Sequence, residues 1–418
     1  MRQKRTQFFA IFSIIVSLQW ISMPQSIAGE TLEASYVING AETSVLSLDR
    51  SSVWVISYNN STLLKYSTTT YQLLATVNIG GSAFDMALSP DGSKIYVALN
   101  AVSKIAVVST STATKTKDIT TTGANYGVAF SPDGTEAYIT TGSSVSKINT
   151  SNDSISQTTS ISGASNLNDI KTSPDGRYIF LASNATQKVI KILADDFSVV
   201  ATSPTIPTKY LAISPDGTIG YSFPYTGSNV IKFATSNLSI LSTISGFSRP
   251  SQSGFTPDGN YIYVANSGAQ NIIRLKVSDD TKETVITGLA GTPWHSTVDP
   301  SGNYLFIGSS GIPGAFYQYR LDGYSSLNLS LSMPRTAQYR TTITLTLEIS
   351  TSTGRVTFYA NNKRIATCKN LAITNGGVIC NYKASIRGAV TIKAIHKNNS
   401  VETISHGNIL VGNRSTLR

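Results

Sequence analysis

Side chains able to do acid–base or metal chemistry are scarce in this 418-residue chain and lie far apart. Its three histidines, His295, His396 and His406, are too few and too dispersed to build a His-based metal site. No C-x-x-C-H, Walker, H-E-x-x-H or G-x-S-x-G pattern occurs, so covalent haem, phosphate-loop, zincin and nucleophile-elbow chemistry have no local signature. His295, next to Trp294, is the best-placed group for proton transfer, because an unperturbed imidazole changes charge near neutral pH. No carboxylate or nucleophile adjoins it, and a lone histidine of that kind is more often structural. Asp85 and Asp169 are the acids that would have to reach it from elsewhere in the fold. On this inventory no catalytic residue, no metal ligand and no cofactor is assigned.

The elements that must position these groups come from a repeat. SPDG stands at residues 89–92, 131–134, 173–176 and 214–217, followed by TPDG at 256–259 and DPSG at 299–302. A degenerate first copy at 47–50 keeps Asp49 and replaces the glycine with Arg50. The copies start 42, 42, 42, 41, 42 and 43 residues apart. A fixed period of about 40–45 residues suits a four-stranded propeller blade. In the third copy, residues 126–130, 136–140, 145–149 and 155–161 read as four short strands with turn signals between them and no helical period. SPDG is itself a turn: Ser accepts at its start, Pro presets φ, and Gly supplies φ > 0 at its end. Its Asp is therefore a turn acceptor rather than a catalytic acid. The aromatics that follow, Trp54, Tyr96, Tyr138, Phe180, Tyr263 and Phe306, are expected to pack between neighbouring blades. The copy after residue 214 departs from this pattern, with Gly220 and Pro224 in its second strand.

The period predicts an all-β chain with a seven-bladed β-propeller over residues 29–323. Its seventh copy has three strands only, and residues 31–38 are expected to supply the missing outer strand and so close the ring. Propeller ligands usually sit on the face opposite the SPDG turns. Five and four positions before each turn, that face carries Glu42 and Thr43, Phe84 and Asp85, Tyr126 and Gly127, Asn168 and Asp169, Lys209 and Tyr210, Ser251 and Gln252, and Trp294 and His295. Scaffold positions should repeat, whereas ligand positions need not. The candidates for ligand binding are accordingly Phe84, Asp85, Tyr126, Asn168, Asp169, Lys209, Tyr210, Trp294 and His295, with Arg249 just upstream of its pair. An aromatic arc with acids and cations among it would suit a sugar or a peptide. The same side chains would also suit the lining of a water-filled channel.

The phrases SPDGSKIYVALN (89–100) and TPDGNYIYVANSG (256–268) resemble the YVTN family of bacterial and archaeal β-propeller repeats, and Tyr263-Val264-Ala265-Asn266 is one substitution from its name motif. The resemblance covers roughly residues 30–322. It implies a secreted or surface-layer protein, and its similarity to lactonase-like and quinoprotein propellers raises the possibility of an enzyme.

The two ends read differently. Residues 1–28 have a basic start (Arg2, Lys4, Arg5), an apolar run over 8–21, and small residues Ser26 and Ala28 before a cut at Gly29, the pattern of a secretory signal peptide. No second long apolar stretch follows, so no transmembrane segment is expected after its removal. Residues 324–418 lose the repeat and carry 12 Lys and Arg against two acids, while residues 29–323 carry 18 against 21. Such asymmetry suggests separate domains with separate partners. Cys368 and Cys380 both lie in the basic part, and in an exported chain they read as a disulfide. The phrase around them, GRVTFYANNKRIATC…GVICNYKASIRGAVTIKA, resembles bacterial Ig-like domains, which implies a small β-sandwich over 324–418 acting at least as a spacer. Arg355, Lys363, Arg364, Lys369, Lys383, Arg387, Lys393 and Lys397 would form a patch able to hold an anionic envelope polymer. A solvated basic surface without a partner fits them too. No nucleic-acid fold signature accompanies them, which argues against nucleic acid as the partner.

Together these features describe a secreted protein, periplasmic or associated with the cell surface. Its propeller face would bind a glycan, peptide or protein partner while the basic module associates with the envelope. The alternative is a lactonase-like or other hydrolase propeller with an anchoring tail, which would need a tight carboxylate/Asn site for a metal.

Overall fold

The computed structural model describes residues 25–26 and 30–321, and in the C-terminal part 329–332, 336–338, 340–349, 355–361, 363–369, 371–372, 377–383, 385, 388–398 and 401–412. Among them there is no α-helix. Of residues 1–28, expected to be a signal peptide, only Gln25–Ser26 falls among these residues; it pairs with Thr287 and Ile286.

Each repeat forms a four-stranded antiparallel sheet in simple meander order. Sheets 1 to 5 begin with Ala41–Leu46, Ala83–Leu88, Asn125–Phe130, Leu167–Thr172 and Tyr210–Ile213. Two further four-stranded units, beginning with Pro250–Phe255 and Thr292–Val298, are joined into one larger sheet by a single parallel pairing of Gln252 with His295. The first strand of each unit lies against the first strand of the next, and Thr292–Val298 lies against Ala41–Leu46. The series therefore returns on itself, an all-β repeat arrangement of propeller type.

The SPDG turns behave as turn chemistry requires. Ser89 Oγ donates to Asp91 Oδ1 at 2.6 Å and accepts from Lys94 N at 3.0 Å, while Gly92 N donates to Ser89 O at 2.8 Å. The terminal glycines take φ of 73–77°, and Arg50 in the degenerate copy takes φ 60°. Seven residues after each turn starts stands a buried ring: Trp54, Tyr96, Tyr138, Phe180, Tyr221, Tyr263 and Phe306 are at most 1% exposed. The fifth copy thus keeps its aromatic at Tyr221, contrary to the departure its local sequence suggested. What is peculiar there is Gly220, above which the Phe233 ring lies so close that a Cβ would fall 2.1 Å from it.

Closure uses the expected segment. Glu30–Val37 pairs antiparallel with Ala315–Leu321, from Glu30 opposite Leu321 to Val37 opposite Ala315. Its first residue is anchored on the preceding unit, since the Glu30 carboxylate accepts from Arg274 Nη1 and Tyr263 Oη, each at 3.1 Å. Burial raises the Glu30 pKa, with Arg274 opposing.

The C-terminal part is a smaller sheet region. Leu329–Ser332, Thr342–Ile349 and Gly377–Lys383 form one sheet, while Thr336–Gln338, Val401–Gly412, Gly388–Asn398, Arg355–Ala360 and Lys363–Arg364 form the path of a second. Leu345, Leu347, Val378 and Tyr382 of the first share one core with Val356, Phe358, Val390 and Ile392 of the second. The long strand Val401–Gly412 had no clear signal in the alternating pattern. Cys368 and Cys380 form a disulfide, with Cα atoms 5.5 Å apart. Arg355, Lys363, Arg364, Lys369 and Lys383 are exposed. Arg387 and the side chains of Lys393 and Lys397 lie outside the described residues. No helix among the described residues is long and apolar enough to cross a membrane.

Candidate functional site

The end of the sheets opposite the SPDG turns carries two distinct constellations, one inside the ring of first strands and one at its mouth. The inner one starts with the residues four positions before each turn. Asp85 and Asp169 occupy this position in sheets 2 and 4, and each clamps the next sheet: Asp85 Oδ2 accepts from Val128 N at 3.1 Å, and Asp169 Oδ2 from Leu211 N at 2.7 Å. Asp169 Oδ1 also accepts from Ile170 N at 2.8 Å and from Lys171 Nζ at 2.6 Å. Thr43 reaches across to the Pro250 unit, its hydroxyl 3.2 Å from Gln252 Oε1 and 2.6 Å from the Phe84 carbonyl.

Lys171 organises the charges here. Burial works to lower its pKa, but the Asp169 and Asp85 carboxylates prevail and hold the ammonium above its usual value. Burial pushes Asp85 up to about 6, with Lys171 opposing and Asp169 adding to the rise. Burial and then Lys171 push His295 down to about 3, so its imidazole is neutral at physiological pH. His295 Nδ1 is buried and has no protein hydrogen-bond partner; the same holds for Asn168 Oδ1. A ring held neutral down to about pH 3 beside an ammonium is a poor proton acceptor near pH 7.

The outer constellation is aromatic and cationic. Phe84 stacks on Tyr58 (centroids 4.9 Å) and on Tyr126 (6.5 Å), joining sheets 1, 2 and 3. Trp294 stacks on Tyr225 at 4.5 Å with an 18° interplanar angle. Lys209 Nζ lies 4.4 Å from the Tyr225 centroid, 5.2 Å from Tyr210 and 5.3 Å from Trp294. Arg249 lies over Tyr225 at 4.4 Å and donates to its hydroxyl. Lys209, Tyr210, Tyr225 and Trp294 are half-buried and Arg249 is exposed. Glu42, 5% exposed, is pushed up to about 8 by burial, against the pull of Ser310 and Lys209. Burial lowers the Lys209 pKa, Glu42 opposing.

The sequence-derived residues thus separate. Asp85, Asp169 and His295 belong to the interior; Phe84 with Tyr126, and Lys209, Tyr210, Arg249 and Trp294, belong to the mouth. Asn168 is buried beside Asp169 and has no recorded contact with either aromatic group. Three participants were not among the candidates: Lys171, Tyr58 and Tyr225. Each has a signal in the aligned copies. Two positions before the turn, Lys171 replaces what is otherwise Val45, Ala87, Ala129, Ala212, Gly254 or Thr297. Eleven positions after the turn starts, Tyr58 and Tyr225 replace what is otherwise Asn100, Gly142, Asn184, Ser267 or Ser310.

Among the described residues no group of three His, Cys, Asp or Glu side chains is placed to hold a metal ion. The fold and this loop end define an all-β repeat protein of propeller type. No protein-family model matches the chain, and no curated protein matches it. Solved structures do. One is described as Kuenenia stuttgartiensis hydrazine synthase, with a TM-score of 0.62 and 16% identity over 69% of this chain and 98% of that one. Another is a structure of U3-55K, with a TM-score of 0.59 and 12% identity over 70% of this chain and 99% of that one. At such identities the likeness concerns the fold alone.

Proposed function

We propose that this is an exported binding protein, associated with the periplasm or cell surface. In this reading residues 1–28 are a signal peptide and residues 29–323 a seven-bladed propeller of the YVTN type. Residues 324–418 are an Ig-like sandwich whose basic side chains associate with the envelope. The loop end of the propeller binds the partner, a glycan, peptide or protein surface. One observation carries the reading: where the repeat stops repeating, the chain places two aromatic stacks, Tyr58–Phe84–Tyr126 and Tyr225–Trp294, the second set with cations. Partly exposed rings of this kind bring large contact area at low entropic cost and are what interface hot spots are made of. The hydrolase alternative draws no comparable support, because Asp85 and Asp169 accept from the Val128 and Leu211 amides and Asp169 also pairs with Lys171.

The test is a glycan-array and envelope pull-down with the mature chain, repeated with Trp294→Ala and Phe84→Ala. Each substitution should weaken capture about tenfold or more while the unfolding midpoint stays near that of the parent. Capture unchanged in both variants would remove the loop end from the binding surface.

A further inference from the structure

Several cations elsewhere in the propeller-type part are matched to acids. Lys94 pairs with Asp153 at 2.8 Å, Lys232 with Asp280 at 3.0 Å and Arg274 with Glu30 at 3.1 Å. Others lie over rings instead, Lys65 on Trp54, Arg177 and Lys191 on Tyr178 and Lys282 on Phe247, and Lys65, Lys191 and Lys282 also donate to backbone carbonyls. At the loop end Lys209 and Arg249 share the Tyr225 ring, and among the described residues neither has a carboxylate within ion-pair distance. Three rings hold Lys209 in place, yet among the described residues its ammonium has no hydrogen-bond acceptor. Arg249 spends one donor on the Tyr225 hydroxyl and keeps the others. A cation held by rings and not by an acid is oriented in advance for an anion from outside, and a guanidinium accepts a carboxylate in a two-pronged fit.

Building on the reading of the loop end as a binding face, we propose that Lys209 and Arg249, set on the Tyr225–Trp294 stack, are the subsite for the carboxylate of an acidic polysaccharide, a uronate-bearing glycan. The aromatic setting favours a sugar over an acidic peptide, because a pyranose offers a flat C–H face to a ring while its carboxylate projects from the edge. The second stack, on sheets 1 to 3, carries no cation within its recorded contacts and suits a further sugar ring of the same polymer. Glu42, the acid whose charge Lys209 senses, is buried and holds its proton at neutral pH, so it leaves the subsite positive.

The experiment is calorimetric titration of the mature full-length chain with oligogalacturonate, with its methyl ester as the uncharged counterpart, and with poly-glutamate. Wild-type protein should bind the acid about tenfold or more tightly than the ester, since a charge-assisted hydrogen bond is worth at least that factor. K209M and R249Q should each lose about tenfold for the acid and little for the ester, with unchanged unfolding midpoints. K363Q/R364Q, in the basic C-terminal part, controls for binding there and should leave the difference between acid and ester intact. No binding of the acid, equal affinity for acid and ester, or unchanged acid affinity in both K209M and R249Q would overturn the proposal. Tighter binding of poly-glutamate than of the uronate would overturn its sugar class. If W294A abolishes binding of acid and ester alike while K209M changes nothing, the binding face stands and this subsite falls. If W294A and F84A change nothing either, the face itself falls.

Discussion

The two ends of the same strands treat their charges in opposite ways. At the SPDG end the acid of each turn is answered within a few residues: Asp133 accepts from the Ser131 hydroxyl and the Thr135 amide, and Asp175 from Ser173 and Arg177 N. At the loop end Asp85 and Asp169 reach some 42 residues along the chain to another sheet, as Asp169 does to Leu211, and among the described residues Lys209 and Arg249 have no acid within ion-pair distance. Local satisfaction can be copied from repeat to repeat, since each turn carries its own partners. Satisfaction across sheets depends on which residue the neighbour brings, so it changes around the ring. The turn acids thus stabilise single units, whereas Asp85 and Asp169 tie neighbouring units together.

The sharpest way to break this contrast is to remove an acid from each end. Asp169→Ala should cost about 3 kcal/mol, because it strands the Lys171 ammonium and leaves the Leu211 amide unpaired. The low end of the usual range applies, as Lys171 keeps 32% of its side chain exposed. Adding Lys171→Met should restore part of that loss, a coupling that equilibrium unfolding of the four cycle members would reveal. Additive effects would mean that Asp169 acts only through the amides.

Next in size is the pH dependence of stability. Glu42 has its folded pKa raised to about 8 from an ordinary 4.5, so the fold prefers its protonated form. Its contribution is full below about 4.5 and is lost as pH rises through 8. His295 is depressed from 6.5 to about 3, so the fold prefers the neutral ring, and that contribution is full above 6.5 and lost as pH falls through 3. Glu42→Gln should flatten the loss of midpoint between pH 5 and 8, and His295→Gln the loss below about 6. Melting curves across pH that keep the wild-type slope in either variant would show that other groups govern that limb.

The smallest effect belongs to the turns. Asp133→Ala should cost only about 1 kcal/mol, the worth of local turn hydrogen bonds on an exposed hairpin. A loss as large as that of Asp169→Ala would erase the distinction between the two ends.

Much of the scaffold was legible beforehand. Ser, Pro, Asp and Gly impose a turn through their own backbone preferences, so the 42-residue spacing marked the hairpins and the buried aromatics that follow them. Closure by the segment after residue 30 was legible as well, because the last repeat lacked a strand and an unpaired edge needs a partner. The site was only partly legible. Phe84, Lys209 and Trp294 stood out because ligand positions need not repeat. Lys171, Tyr58 and Tyr225 break the same alignment at other offsets, and their meaning depends on which side chains the ring brings opposite them. Long Val401–Gly412 escaped because its sequence does not alternate cleanly between apolar and polar residues.

The amino-acid sequence by itself determined the period, the turns, the aromatic layer and the division between a near-neutral repeat part and a basic C-terminal part, because each follows from local backbone preference or from composition. Tertiary structure alone decided that Asp85 and Asp169 are inter-sheet clamps, that His295 is neutral beside Lys171, and that Lys209 and Arg249 meet rings instead of acids. Those outcomes depend on distances between residues far apart along the chain, as with the 16 positions between Lys209 and Tyr225 and the 42 between Asp169 and Leu211, and the electrostatic environment of a buried charge exists only once the ring has closed around it.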